Sequence, residues 1–216
     1  WTPTAPAGGP SGSVVVINHT ILMPSTYTSA YKTTINSSGV LEIPYNTPER
    51  VGNLDGSGTL KLNSSSFPAG DFAAFMANPF STIEFAGNTD YSIMPTYSTY
   101  NNVKVSGTGK RYLPSTKVFL NGNLTINGDN STLELRNDNN IDIDIKKDLT
   151  YTQGVFYAGS SATPKIIFSG TAEQNINGPL AFTGSNAING LEINNASGLN
   201  IKTNVDVNTL LNFENG

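Results

Sequence analysis

The stretch Val118-Phe119-Leu120-Asn121-Gly122-Asn123-Leu124-Thr125-Ile126-Asn127-Gly128-Asp129-Asn130 sets two short triplets between polar corners of Asn and Gly. The apolar–polar–apolar form of this triplet recurs as Leu41-Glu42-Ile43, Leu60-Lys61-Leu62, Ile83-Glu84-Phe85, Val103-Lys104-Val105, Leu133-Glu134-Leu135, Leu191-Glu192-Ile193, Leu199-Asn200-Ile201 and Val205-Asp206-Val207. A longer alternation runs through Ile141-Asp142-Ile143-Asp144-Ile145. Period-2 alternation makes strands with one buried face. Hairpin sheets favour strands of about five to six residues, whereas inward triplets separated by frequent corners suit a chain that winds in one direction. The expected fold is all-β, a parallel β-solenoid (a right-handed β-helix). The corners Asn121-Gly122-Asn123, Asn137-Asp138-Asn139-Asn140, Asn177-Gly178 and Asn194-Asn195 supply residues that tolerate left-handed backbone, and stacked Asn amides can bond from coil to coil. Asn-Gly is equally a hairpin signal, so an antiparallel β-sandwich is the alternative.

Composition agrees. The 216 residues include 27 Asn but only 12 basic and 16 acidic residues, net −4. Asn, Gly, Ser and Pro are poor helix formers, which argues against a helical bundle, and 11 Val with 16 Ile argue against disorder. No apolar run approaches the roughly 20 residues that span a bilayer, so membrane insertion is not expected. Without a basic stripe, nucleic acid is not an expected partner. Cysteine is absent, which excludes disulfides, thiolate catalysis and Cys-ligated zinc.

Residues 1–13, rich in Pro and Gly, read as an extended lead-in, and 14–216 as a single solenoid domain that forms part of a longer repetitive chain. The pattern still runs at Leu210-Leu211-Asn212-Phe213, so the parent chain is expected to continue beyond Gly216. One segment breaks the pattern. Phe67-Pro68-Ala69-Gly70-Asp71-Phe72-Ala73-Ala74-Phe75-Met76 predicts a loop excursion near 67–80 with helical turns at 71–77 and Asp71 at the helix start. A long-range likeness pairs the stretch from Phe85 through Val103-Lys104-Val105 to Val118-Phe119-Leu120 with that from Phe168 through Leu191-Glu192-Ile193 to Val205-Asp206-Val207, as a repeat of several coils would.

Candidate chemistry is sparse. His19 is the sole histidine, no Gly-x-Ser-x-Gly elbow accompanies it, and one imidazole cannot build a histidine metal site. Ser106-Gly107-Thr108-Gly109-Lys110-Arg111 fails as a phosphate loop, because Lys104 and Arg111 stand where Gly and Ser/Thr are required. Asn88-Thr89-Asp90 matches one motif of polygalacturonase-type hydrolases, but the other motifs of that chemistry are missing. Asp142 and Asp144 have a spacing that carboxylate-pair hydrolysis allows, in a polar setting that would not raise one pKa. No enzymatic activity and no cofactor are expected. Asp138, Asp142, Asp144 and Asp148 are calcium candidates, with a solvated acidic ladder as the plainer reading. Thr2/Thr4, Thr26/Thr28 and Thr150/Thr152 are too scattered for an ice-binding ladder. Seven of the nine tyrosines fall within the first 112 residues, and among them Tyr97 and Tyr100 are the candidate platform for stacking on sugar rings. The alternative for these rings is to pack beneath the 67–80 loop.

The stretches Trp1–Gly12, Val14–His19, Gly56-Ser57-Gly58-Thr59-Leu60-Lys61-Leu62, Phe67-Pro68-Ala69-Gly70-Asp71-Phe72, Phe119–Ile126 and Asn189–Ile193 together resemble large repetitive surface proteins of Bacteroidota. Such proteins are typically type IX secretion cargo and act as adhesins or surface filaments built on β-helical repeats. The resemblance implies an extracellular or cell-surface location and a non-enzymatic role in attachment or as a stalk. It implies the secretion machinery of the exporting cell as a partner, along with surface glycans or other cell-surface components. The rival function is a glycan-binding module, and a weaker one a polysaccharide-degrading β-helix enzyme.

Overall fold

A computed structural model describes residues 13–23, 30–44, 50–94, 97–159 and 164–215. The lead-in at 1–12 and Tyr27, Tyr45, Thr2, Thr4, Thr26 and Thr28 lie outside the described residues. The first coils are β1 (Val14–Ile17) with β2 (Thr20–Leu22), β3 (Lys32–Ile35) with β4 (Val40–Ile43), and β5 (Arg50–Gly56) with β6 (Thr59–Leu62). Next come β7 (Ala69–Asp71), the helix α1 (Ala73–Ala77), β8 (Thr82–Phe85) and β9 (Tyr91–Ser92). Then follow β10 (Thr99–Tyr100) with β11 (Asn102–Tyr112), β12 (Val118–Leu120) with β13 (Leu124–Arg136), and β14 (Ile143–Ile145) with β15 (Leu149–Gln153) and β16 (Val155–Tyr157). The last are β17 (Lys165–Phe168) with β18 (Gln174–Asn177), β19 (Ile188–Ile193) with β20 (Leu199–Ile201), and β21 (Val207–Phe213).

Every strand pairs in parallel with its counterpart one coil away, which makes a β-solenoid of about nine turns rather than a sandwich. Successive coils are about 18 to 27 residues apart in sequence. The first face holds β1-β3-β5-β7 and β10-β12-β14-β17-β19-β21, and the second runs β2-β4-β6-β8-β11-β13-β15-β18-β20. A third face begins at β9 and continues through the far halves of β11 and β13 to β16.

The triplets turn their apolar ends inward and align. One row on the second face reads Ile21, Leu41, Leu60, Ile83, Val103, Leu124, Leu149, Ile176, Ile201. The coils lie about 4.8 Å apart, so each side chain packs on the one below and the one above. Burying each contributes about 1.5–3 kcal/mol.

The helix forms within the expected window, at Ala73–Ala77, and packs against β5 and β10. It stands between β7 and β10, which do not pair, and so divides the first face into two sheets. Asp71 helps start it by accepting the Ala73 N–H at 2.9 Å. The buried Asn101 closes the other end, donating to the Met76 and Asn78 carbonyls.

The corners work differently from expectation. Among the described residues only Asn140 of the asparagines takes a positive φ. Several others act through their amides. Asn102 Oδ1 accepts from Asn123 N–H (3.0 Å), Asn123 Oδ1 from Asp148 N–H (3.0 Å), and Asp148 Oδ1 from Asn175 N–H (2.8 Å), a ladder climbing one edge of the second face. Residues 127–130, read as a corner, run inside β13. Tight approach falls to glycine: Gly107 has φ 75°, and a Cβ there would sit 2.1 Å from the Gly87 carbonyl oxygen. The long-range repeat is not a structural one, since Phe85 and Val103–Val105 lie on the second face while Phe168 and Leu191–Ile193 lie on the first.

Candidate functional site

Neither sequence-derived cluster assembles into a site. Asp138 is exposed and ion-paired to Arg136 at 3.0 Å. Asp142 accepts the Lys165 N–H at 2.9 Å. Asp144 is buried, accepts the Ser169 hydroxyl and pairs with Lys117 at 3.3 Å, and Asp148 is a rung of the amide ladder. Asp142, Asp144 and Asp148 join chain segments and Asp138 holds its near neighbour Arg136, and among the described residues no group of three or more His, Asp or Glu is placed to hold a metal. The carboxylate pair at Asp142 and Asp144 is likewise committed to structure. His19 sits exposed in the turn between β1 and β2.

The aromatic platform needs correction. Tyr100 is fully buried against Phe85, and Tyr97 is half-buried with its ring 5.4 Å from Phe67 and 6.2 Å from Tyr100. Burial raises the pKa of both hydroxyls. The rings fill the space under the 67–80 excursion, because the apolar edge opened by the break in the first face must be covered.

Arg111, at the end of the false phosphate loop, points inward. It occupies the row position that Leu135 and Phe156 fill in the next coils and is fully buried. Its Nη1 donates to the Thr89 carbonyl (2.6 Å) and its Nη2 to those of Ala86 and Gly87 (both 2.8 Å), while the guanidinium lies 4.3 Å above the Tyr91 ring. Desolvation pulls its pKa down. Burial pushes the Tyr91 hydroxyl up to about 12 against the opposing pull of Arg111. The cation satisfies corner carbonyls and binds nothing outside.

The surface with open chemistry is the outer side of the second face. The central residues of four triplets, Glu42, Lys61, Glu84 and Lys104, stand in register on β4, β6, β8 and β11. Glu42 pairs with Lys61 at 3.2 Å and Glu84 with Lys104 at 3.1 Å. Asn63 Nδ2 donates to Glu42 (2.8 Å) and the Ser106 hydroxyl to Glu84 (2.6 Å). A groove of about 830 Å³ runs over these pairs, floored at the corner by Gly87 and Gly107. A second trough of about 470 Å³ shares Glu84 and Lys104 and is bordered by Phe80 and Pro79.

No family model, curated protein or solved structure matches the chain. The groove was missed from sequence because its residues are about 20 positions apart. The readable trace was the alternation Glu, Lys, Glu, Lys at the centres of the triplets, which acquires meaning only with the register.

Proposed function

We propose that the chain is a non-catalytic structural and adhesive segment of an extracellular bacterial surface protein, acting as a stalk or filament that also makes surface contacts. The observation that carries this reading is where the charged side chains go. Lys32–Asp55, Glu42–Lys61, Glu84–Lys104, Lys117–Asp144 and Lys165–Glu192 each tie one coil to the next, over apolar rows that run the length of the stack. Stability in such a stack is the sum of coil-to-coil interfaces, which suits a load-bearing extension. The export route through type IX secretion belongs to the same proposal and rests on the resemblance alone.

Two measurements test it. Displayed on a non-adherent bacterial cell, the chain should raise attachment to glycan-coated surfaces, and unchanged attachment counts against the adhesive role. Incubated with a panel of plant and bacterial polysaccharides, it should release no reducing sugar; measurable release overturns the non-catalytic reading.

A further inference from the structure

Three surfaces stand outside the structural role: the exposed last coil, the buried Arg111 corner and the double trough on the second face. Nothing beside the last coil says what would cover it, and Arg111, although its Nε has no partner, is buried out of reach of any ligand. The trough carries an argument.

Its two halves differ in a useful way. On one side Phe80 is 73% exposed, among the most exposed large apolar side chains described. It is not on a loose tip: its N–H donates to Asn78 Oδ1 at 3.0 Å, Pro79 precedes it, and the Ser81 hydroxyl that follows donates to the Phe75 carbonyl at 2.6 Å. A fixed, bare aromatic ring therefore stands beside the polar side chains of Thr82, Asn102, Asn123 and Thr125. On the other side, Asn63 Oδ1 and Ser64 Oγ are buried polar atoms without a hydrogen-bond partner. The Asn63 amide is oriented by its bond to Glu42, which leaves Oδ1 as the idle acceptor. The Glu84–Lys104 pair lies between the halves.

We infer that this double trough is a binding site for a neutral, linear oligosaccharide lying across the Glu84–Lys104 pair. The inference names the ligand class and the site for the surface contact proposed above, and rests on that reading. Sugar rings combine what the halves ask for. Their C–H faces stack on an exposed aromatic, and their hydroxyls both donate and accept, which bridges the acid and the base and offers partners to Asn63 Oδ1 and Ser64 Oγ, closed to water in the free protein, once these side chains turn toward the groove. From Phe80 to Ala86 across β8 the extended chain covers about 20 Å at about 3.3 Å per residue, the reach of a short oligosaccharide. A charged chain gains no net attraction, because Glu42, Glu84 and Asp129 balance Lys61, Lys104 and Lys147. A peptide strand finds no free edge there, since the strands beneath are paired on both sides.

The test uses the whole chain in titration calorimetry against hexasaccharides of β-glucan, mannan, xylan and galactan, with a sulfated hexasaccharide as the charged control. At least one neutral hexasaccharide should bind, and more tightly than the sulfated one. Phe80→Ala should weaken that binding at least tenfold with an unchanged melting temperature. Asn63→Leu should weaken it several-fold, and folding of that variant is checked by its circular dichroism. No binding of any neutral hexasaccharide at millimolar concentration, a preference for the sulfated one, or an unaffected Phe80→Ala overturns the inference. If cells displaying Phe80→Ala still attach as well as the parent, this site is refuted and the adhesive role stands. If neither form attaches, the adhesive role itself fails.

Discussion

Leu149 and Ile201 stand two coils apart in the same aliphatic row, yet Leu149 is inaccessible while Ile201 is 48% exposed. The first face repeats the contrast: Leu191 and Ile193 are buried, and Leu211 and Phe213, which pair with them in the next coil, are 52% and 60% exposed. The first coil is intermediate, with Ile17 and Met23 buried and Val15 and Ile21 half-buried. The lesson is that a triplet fixes which way a side chain points, and the neighbours on both sides fix how dry it becomes. A coil with one neighbour keeps the pattern and forfeits much of its stabilisation.

The contrast can be broken or sharpened by experiment. The largest effect is expected where a middle coil holds a charge in place of an apolar row residue. Arg111→Ala leaves the Thr89 carbonyl without its donor, leaves those of Ala86 and Gly87 with one each, from the Tyr91 hydroxyl and the Thr108 N–H, and empties the space of a fully buried side chain; it should cost about 4 kcal/mol in denaturant unfolding. A loss below about 1 kcal/mol would show that water replaces the guanidinium and that the corner is open. Next comes the row itself. Leu149→Ala should cost about 3 kcal/mol as a cavity between two neighbours, and Ile201→Ala about 1 kcal/mol. Equal losses would mean the last coil is covered in solution.

Smallest are the pH effects, and their signs differ by face. Tyr91 titrates near 10 when unfolded and near 12 when folded, so its contribution is complete below pH 10 and is lost as pH rises from 10 to 12. Glu192, held below the ordinary carboxylate range first by its hydrogen bond from Lys165, contributes above its unfolded value and loses that contribution as pH falls below about 4.5. Melting temperature should therefore fall at both extremes, and Tyr91→Phe should blunt the alkaline fall alone.

Sequence disclosed the parallel stack, because the triplets are local and their period is unambiguous, and it disclosed α1, because Pro68, the alanines and Asp71 interrupt that period. It did not disclose what depends on register. Arg111 reads only as the residue that breaks a phosphate-loop pattern until its row partners are known to be Leu135 and Phe156. Tyr97 and Tyr100 read either as a platform or as packing beneath the 67–80 loop, and only the parting of the first face at α1 decides for packing. The trough lies between the two cases. Its charges were visible as the centres of triplets, but Phe80 and Asn63, at its opposite ends, come to one surface only through the register of the coils.

Coil length varies from about 18 to 27 residues while the apolar rows stay aligned. The surplus therefore sits outside the triplets, in bulges such as the one between Gly128 and Leu133 of β13 and in the connections between strands, where lengthening a loop raises its closure cost only logarithmically. The stack is thus tolerant of insertion at the connections and intolerant of it inside the triplets, where a single added residue would turn every following side chain to the opposite face. New sequence can be carried on such a scaffold without renegotiating its core, one connection at a time.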